Sequence, residues 1–265
     1  AVIQNFPACF GAQPLIAALV AHPDRTTIQL LDVRNPLQVS ESWKLELDGW
    51  MRASRLRGDV LYVVNSFRPR MPDLVLPADS LEAREANERR IRTTSANELL
   101  PGVRENGGPR RALALADGCL LPQDIESVDS YIDLIVITAI NVRTRRITDV
   151  NCLSTNVNAV YVSRESLYVA GAGWREQQTV QITVLHKFSI ADGEISYRAT
   201  GAVAGTVGWT NPSYFMDEHE GDLRILTTAQ GAHHLSVLRE SGSQSLMTLA
   251  KLPNAGRPEP IGKPG

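Results

Sequence analysis

SRLRGDVLYVV, residues 54–64, is the first of three segments that share one pattern, the others being VSRESLYVA at 162–170 and MDEHEGDLRIL at 216–226. Each segment is an extended run, a short polar turn, and a second run built on Leu, then Tyr or Arg, then Val or Ile. Alternating β-branched runs bounded by Gly, Asp and Ser are typical of antiparallel strands. The sequence therefore predicts three copies of one β-unit.

Two further strand-like runs precede each copy, so that the predicted unit has four antiparallel strands and the shared pair closes it. The runs are 27–33 and 43–47 in the first copy, 134–140 and 147–152 in the second, and 181–188 and 194–199 in the third. A four-stranded sheet cannot bury both faces alone and must stack on a neighbour, which favours a β-propeller. A β-sandwich is the alternative, although its strands need not be alike.

The pattern divides the chain into an all-β propeller of about three and a half blades with a partly helical insertion. The boundaries are blade 1 at about 15–66, the insertion at about 67–130, blade 2 at about 131–175, blade 3 at about 179–230, and part of blade 4 at about 231–265. Within the insertion, residues 80–91 are rich in Glu, Ala and Arg and follow Asp79 or Ser80 as a candidate N-cap. The insertion is either a binding surface or a cover over a sheet face or edge.

Composition excludes several classes of protein. The chain has 265 residues, of which 27 are basic and 29 acidic, and its formal charge is −2. No Lys/Arg-rich run supplies the charge that a nucleic-acid backbone requires, so we expect no nucleic-acid partner. The longest apolar runs, 15–21 and 134–139, are far shorter than the roughly 18 to 20 residues that span a bilayer.

Several longer motifs resemble the secreted β-propeller domain proteins of bacteria and archaea. They are LDVRNP at 31–36, LDGWMRASRLRGDVLYV at 47–63, ELLP at 98–101, FMDE at 215–218 with GDLRI at 221–225, and GKPG at 262–265. The family's domain is longer than this chain, so the resemblance implies an internal portion of a propeller that ends within a blade. It also implies an extracellular, periplasmic or cell-surface location, and we expect no signal peptide within the given sequence. The family supplies no catalytic residues.

The densest cluster of ionisable residues, 217–222, is best interpreted as the corner between two strands. Counted from Glu218, a calcium loop would need Gly and Glu where Leu223 and Ala229 stand, and a zincin helix would need a second His. Gly221 can adopt a positive φ at such a corner. Asp217, Glu218 and His219 are the acid or base candidates if the protein is instead an enzyme.

Tryptophans and cysteines provide the remaining candidates. Trp174 and Trp209 are weak candidates for stacking on a glycan, against the commoner role of packing between blades. Either Cys119 and Cys152 form a disulfide, leaving Cys9 unpaired, or all three are buried free thiols. We expect no structural metal and no cofactor, and leave open a divalent cation bound by Asp217 and Glu218.

Two functions follow from the sequence. The first is a non-enzymatic, exported scaffold that binds a protein or a polysaccharide through its loops. The alternative is a hydrolase or lyase with carboxylates drawn from several blades near a central channel, which rests on fold analogy. Because an incomplete fourth blade would expose unpaired strand edges, we also expect self-association, or docking onto the second half of a propeller, through that edge.

Overall fold

The computed structural model describes residues 4–6, 15–71, 73–114, 116–121, 133–175, 180–208, 210–242 and 244–262. In chain order its elements are β1 (Gln4–Phe6), β2 (Leu15–Ala21), β3 (Arg25–Asp32), β4 (Ser40–Asp48), β5 (Trp50–Arg57), β6 (Val60–Phe67), α1 (Leu81–Thr93), α2 (Ala96–Leu99), β7 (Gly102–Glu105), β8 (Arg111–Ala112), β9 (Cys119–Leu120), β10 (Leu134–Asn141), β11 (Arg146–Ser154), β12 (Ala159–Val162), β13 (Ser166–Arg175), β14 (Val180–Ala191), β15 (Glu194–Ala204), β16 (Met216–His219), β17 (Asp222–Ala229), β18 (Ala232–Ser241) and β19 (Ser245–Leu252). Among these described elements, no helix is long and apolar enough to cross a membrane.

Hydrogen bonding groups the strands into four antiparallel units, which we call blades I to IV. Blade I is β1–β2–β3–β4, blade II is β5–β6–β10–β11, blade III is β12–β13–β14–β15, and blade IV is β16–β17–β18–β19. Blade I continues beyond β4 into β7 and β8, and blade II continues beyond β11 into β9. The outer strands of blades III and IV meet in parallel at Thr200 and Ser245.

The blades stack face to face in chain order, because each central strand sends alternate side chains into two different cores. In β6, Leu61 and Val63 pack against blade I, whereas Tyr62 and Val64 pack against blade III. The second strand of blade III repeats this alternation, with Leu167 and Val169 in one core and Tyr168 and Ala170 in the next, and the second strand of blade IV contributes Leu223 and Ile225 to the core that it shares with blade III. Each fully buried aliphatic side chain stabilises the stack by about 1.5 to 3 kcal/mol. Four stacked sheets confirm the predicted propeller architecture and contradict the two-sheet sandwich.

The observed strand pairing shifts every predicted blade boundary by two strands. The repeated pair opens each blade, as β5–β6, β12–β13 and β16–β17, and does not close it. The predicted unit 15–66 was therefore wrong, since β4 and β5 belong to different sheets. A single residue separates them, Gly49, whose φ of 99° and hydrogen bond to the Asp24 carbonyl (2.8 Å) carry the chain out of blade I. Blade IV also has all four strands, so the predicted half-blade and its open edge were wrong.

The insertion lies inside blade II, between β6 and β10, and not between two units as predicted. The predicted helix is present as α1, and the Oγ of Ser80 accepts a hydrogen bond from the Ala83 N–H at 3.1 Å. Two strands of the insertion cover sheet edges: β7 pairs with β4, and β9 pairs with β11. Paired edges cannot template pairing with another chain, so the interpretation as a cover is confirmed for these strands.

A disulfide joins the insertion to the rim of blade II. Cys119 of β9 and Cys152 of β11 are bonded at an S–S distance of 2.12 Å, across a sequence separation of 33 residues. The alternative of three free thiols was therefore wrong, and Cys9 lies outside the described residues. The link closes a loop around the third strand of the blade and restricts the unfolded chain.

Candidate functional site

The connections between successive blades all lie at one end of the stack. They are residue 49 between blades I and II, residues 155–158 between II and III, and residues 205–208 and 210–215 between III and IV. Each connection leads from the end of the fourth strand of one blade to the start of the first strand of the next. We call this end, with the strand ends beside it, the linker face.

Two of these connections have the same construction. Gly49 and Gly205 have φ values of 99° and 83°. A Cβ atom on Gly49 would lie 2.8 Å from the Ser66 carbonyl oxygen, and one on Gly205 would lie 2.4 Å from that of Thr228. Only glycine fits a left-handed position so close to the following blade. The linker face therefore has a tightly packed backbone at both junctions.

Threonine hydroxyl groups hydrogen-bond to the glycine carbonyl at each of these two junctions. The Oγ1 of Thr26 donates to the Gly49 carbonyl at 3.1 Å, and the Oγ1 of Thr183 donates to the Gly205 carbonyl at 2.8 Å. Asn65 of blade II also donates to the Gly49 carbonyl, at 2.9 Å. Both threonines are buried. These bonds satisfy carbonyl groups that the turn would otherwise leave unpaired in the interface.

Asparagine side chains fix the junction between blades II and III. The Nδ2 of Asn156 donates to the Ala172 carbonyl at 2.9 Å, and the Ala172 N–H donates to the Oδ1 of Asn158 at 2.6 Å. The Asn158 N–H donates to the Ala170 carbonyl at 2.8 Å. The linker is thus hydrogen-bonded to the end of β13 through both backbone and side chains. Such a connection is a rigid support for the side chains that surround it.

Three aromatic side chains are exposed on or beside this rigid backbone. Trp50, at the start of β5, is 53% exposed, Trp174, near the end of β13, is 43% exposed, and Tyr214 is 85% exposed. Trp174 pairs with Gln181, whose carbonyl accepts the Gly205 N–H, so this indole lies one strand from the blade III–IV linker. Large apolar side chains that are exposed on a structured face are candidates for a binding site.

Arg52 connects the first of these aromatics to the neighbouring linker. Its guanidinium carbon lies 5.3 Å from the centre of the Trp50 ring, and its Nη2 donates to the Val157 carbonyl at 2.6 Å. Burial lowers the pKa of Arg52, but a guanidinium remains a cation at neutral pH. The cation–π contact stabilises this orientation of the indole. Sequence reasoning missed Arg52 because it is the extra residue of a β-bulge between Met51 and Ala53.

The linker face also contains a small polar cavity of about 40 Å³. Its lining consists of Asn158, Gly171, Ala172, Thr183, Thr206, Val207 and Gly208. This volume admits one or two water molecules. A ligand larger than water therefore does not fit inside this cavity.

The acidic segment 217–222 lies at the opposite end of the stack, where it forms the β16–β17 hairpin. Its pairing runs from Met216 with Ile225 to His219 with Asp222, and Gly221 has a φ of 84°, as predicted for the corner. The structure does not bring Asp217, Glu218 and His219 together. Adjacent residues of a strand point to opposite faces, so Glu218 enters the blade III–IV interface while its two neighbours stay outside.

Asp217, Glu218 and Asp222 each contact a partner that stabilises the fold. Asp217 forms an ion pair with Arg224, and Asp222 forms one with Arg239 at 2.6 Å. Glu218 accepts hydrogen bonds from the Tyr168 hydroxyl at 2.5 Å and from the Ser163 hydroxyl at 3.2 Å. Across the described residues, no group of three His, Cys, Asp or Glu side chains is arranged to hold a metal ion.

The other predicted candidate, Trp209, lies outside the described residues. Trp43 is buried between blades I and II, and its indole N–H donates to Glu105 at 2.7 Å, which makes it a structural tryptophan. Trp174 is the predicted binding residue that the structure exposes, and Trp50 joins it.

Comparison with known proteins agrees with this architecture. The sequence model of the family described as Beta propeller domain matches residues 6–262. The chain belongs to this family. The match covers all four blades of this β-propeller and the insertion. A search of curated proteins found no match.

Proposed function

We propose that this β-propeller is an exported, non-enzymatic scaffold and that its linker face binds a polysaccharide. The observation that carries the proposal is the exposure of Trp50 and Trp174 beside hydrogen-bonded linkers at one end of the stack. Indole rings present flat apolar surfaces with little conformational entropy to lose, which suits the apolar faces of sugar rings. The neighbouring amide and guanidinium groups of Asn158 and Arg52 supply donors for hydroxyl groups.

Polysaccharide is favoured over protein as the partner because of the shape of the face. The cavity at the linker face is too small for a side chain such as Leu or Phe, which a protein partner would insert as an anchor. An extended glycan needs only exposed aromatic platforms in a row. Export is supported by the Cys119–Cys152 disulfide, since such bonds persist in oxidising compartments.

A non-enzymatic role is supported by the positions of the acids. Asp217 and Glu218 serve ion pairing and interblade hydrogen bonding, and they lie at the end of the stack opposite the exposed tryptophans. A glycosidase needs two carboxyl groups that face one another across a sugar. The described residues of the hairpin provide no such pair.

The test is affinity electrophoresis of the protein through gels that contain neutral or acidic polysaccharides. We expect retardation by at least one polysaccharide, and we expect Trp50→Ala and Trp174→Ala each to weaken it at least about tenfold, equivalent to about 1.4 kcal/mol. Leu37→Ala is the matched control, because Leu37 is 93% exposed on the β3–β4 turn at the other end. No retardation, or retardation unchanged in both tryptophan variants, would contradict the proposal. Release of reducing sugars would contradict the non-enzymatic role.

A further inference from the structure

A cleft lies between the outer strands of blades III and IV, in the half of the stack that carries the linker face. β15 and β19 meet at one register pair, Thr200 with Ser245, where β19 begins. Farther along, residues 202–204 of β15 and 248–251 of β19 form opposite walls of a cleft of about 750 Å³. Sites for small ligands have volumes of about 300 to 1,000 Å³, so the cleft is large enough for a sugar residue.

The cleft adjoins the linker face near Trp174. Ala204, on the β15 wall, pairs with Ile182 of β14, and the neighbouring Gln181 pairs with Trp174. Two strand spacings, or about 10 Å, therefore separate Trp174 from the wall. Alternation along β13 puts Trp174 on the same side as Tyr168, which packs in the core between blades III and IV. A glycan that stacks on Trp174 can thus extend into the cleft.

Ser236 of β18 lines the cleft with a buried hydroxyl group. The residue is only 7% exposed, and its side chain has no hydrogen-bond partner within the described part of the chain. Its register partner Ile225 packs against blade III, so the Ser236 side chain also faces blade III. A buried hydroxyl without a partner is costly unless water or a ligand supplies the missing bond. Ser236 therefore indicates that the cleft takes a polar group.

Three further donors surround this hydroxyl on the same face of blade IV. His234 precedes Ser236 by two residues of one strand, and Lys251 is the register partner of Ser236 on β19. Thr248 pairs with Leu238, which also packs toward blade III. Among the described residues that line the cleft, none is Asp or Glu. The Lys251 ammonium group is therefore not neutralised within the cleft.

Asn254 fixes the wall that carries Lys251. Its Nδ2 donates to the Lys251 carbonyl at 2.9 Å, and its Oδ1 accepts the N–H groups of Gly256 and Arg257, both at 2.9 Å. The amide group is thus committed to the turn that follows β19. It holds the backbone of Lys251 in place and leaves the ligand to the side chains of the four donors.

The chemistry of this lining selects an acidic group. An ammonium group has three donors and no acceptor, and the two hydroxyl groups and the imidazole add further donors. Neutral sugar hydroxyl groups both donate and accept, whereas a carboxylate only accepts and carries the charge that complements Lys251. We infer that the cleft binds an acidic sugar residue, with its carboxylate between Lys251 and Ser236. This inference rests on the proposed function, because Trp174 and the cleft then bind neighbouring residues of one polysaccharide.

Affinity electrophoresis with polygalacturonate and with neutral dextran tests the inference. We expect polygalacturonate to bind at least about tenfold more tightly than dextran, although the formal charge of the protein is −2 and does not attract a polyanion. Dextran binding that equals or exceeds polygalacturonate binding would overturn the acidic specificity and leave the polysaccharide function in place. Retardation by no polysaccharide would overturn both.

Lys251→Gln tests the position of the carboxylate. We expect it to weaken polygalacturonate binding at least about tenfold and to leave any dextran binding unchanged. Lys44→Gln is the matched control, since it makes the same change of charge on β4 of blade I, where Lys44 pairs with Glu46 at 3.3 Å. Equal losses in the two variants would show a general effect of charge and would overturn the site.

Ser236→Ala separates binding from stability. We expect it to weaken polygalacturonate binding about threefold or more while the urea midpoint stays the same or rises, because the hydroxyl has no partner in the described fold. A lower midpoint would show that the hydroxyl serves the fold and would overturn its assignment to the ligand. Unchanged binding would also overturn that assignment.

Discussion

Acidification from pH 7 to pH 5 should destabilise the protein through His186. This histidine lies in the middle of β14, opposite Val169 and Thr200, and its Nδ1 is 3.2 Å from the Tyr197 hydroxyl. Burial lowers the pKa of His186 to about 4, whereas a histidine in an unfolded chain has a pKa of about 6.5. The ring is therefore neutral in the folded protein at pH 5 and protonated in the unfolded chain.

The sign and size of the effect follow from this difference. Because the unfolded state binds the proton and the folded state does not, stability is complete above about pH 7 and falls as the pH drops toward 4. The two pKa values give a loss of about 2 kcal/mol at pH 5 and about 3 kcal/mol at pH 4. The His186 ring is partly accessible to water, which reduces the effect of burial, so both losses are upper values.

Urea unfolding at pH 7 and pH 5 measures the loss in the parent protein and in His186→Gln. Between pH 7 and pH 5 the free energy of unfolding should fall in the parent by about 2 kcal/mol more than it falls in the variant. His219→Gln is the matched control, because the side chain of His219 is 64% exposed. The same pH dependence in His186→Gln as in the parent would refute the assignment to His186.

Three further substitutions test the contacts that hold the blades. Cys119→Ser opens a 33-residue loop and should lower the free energy of unfolding by about 3 to 4 kcal/mol, an effect that dithiothreitol should reproduce in the parent. Gly205→Ala should cost more than about 2 kcal/mol, whereas Gly58→Ala, also left-handed but with no atom near its Cβ, should cost about 1 kcal/mol; equal costs would show that the interblade contact is unimportant. Tyr168→Phe removes a hydroxyl donor from Glu218 and should cost about 1 to 3 kcal/mol by urea unfolding, while an unchanged midpoint would contradict the role of that bond.

The sequence predicted the repeat but not its phase. The Leu-x-Val pattern locates the second strand of blades II, III and IV because one side of that strand is always buried against the preceding blade. It does not show whether the strand pair begins or ends a blade. That depends on Gly49, whose one-residue connection is as short as a hairpin turn but directs β5 into a new sheet.

The insertion illustrates what a single sequence cannot provide. Its helix was predictable because the cap at Ser80 is local. The pairing of β7 with β4, and of β9 with β11, joins segments that are far apart in the chain, and short strands carry little periodicity. The spacing of Cys119 and Cys152 was the one clue to the second pairing.

The candidate site was predictable in part for the same reason. The corner at 217–222 follows from local turn chemistry, and the alternation of Asp217, Glu218 and His219 follows from the strand period of two. The exposure of Trp50 and Trp174 does not, since it depends on which strand ends the neighbouring blades leave uncovered. Arg52 was hidden by the bulge that shifts it out of register.

Hydrogen–deuterium exchange with an oligosaccharide fragment of a retained polysaccharide would test the proposed binding face most directly. We expect slower amide exchange at residues 50–52, 155–158 and 171–174, with no change in the hairpin corner at 217–222. Protection of that corner alone, or no protection at the linker face, would contradict the proposal.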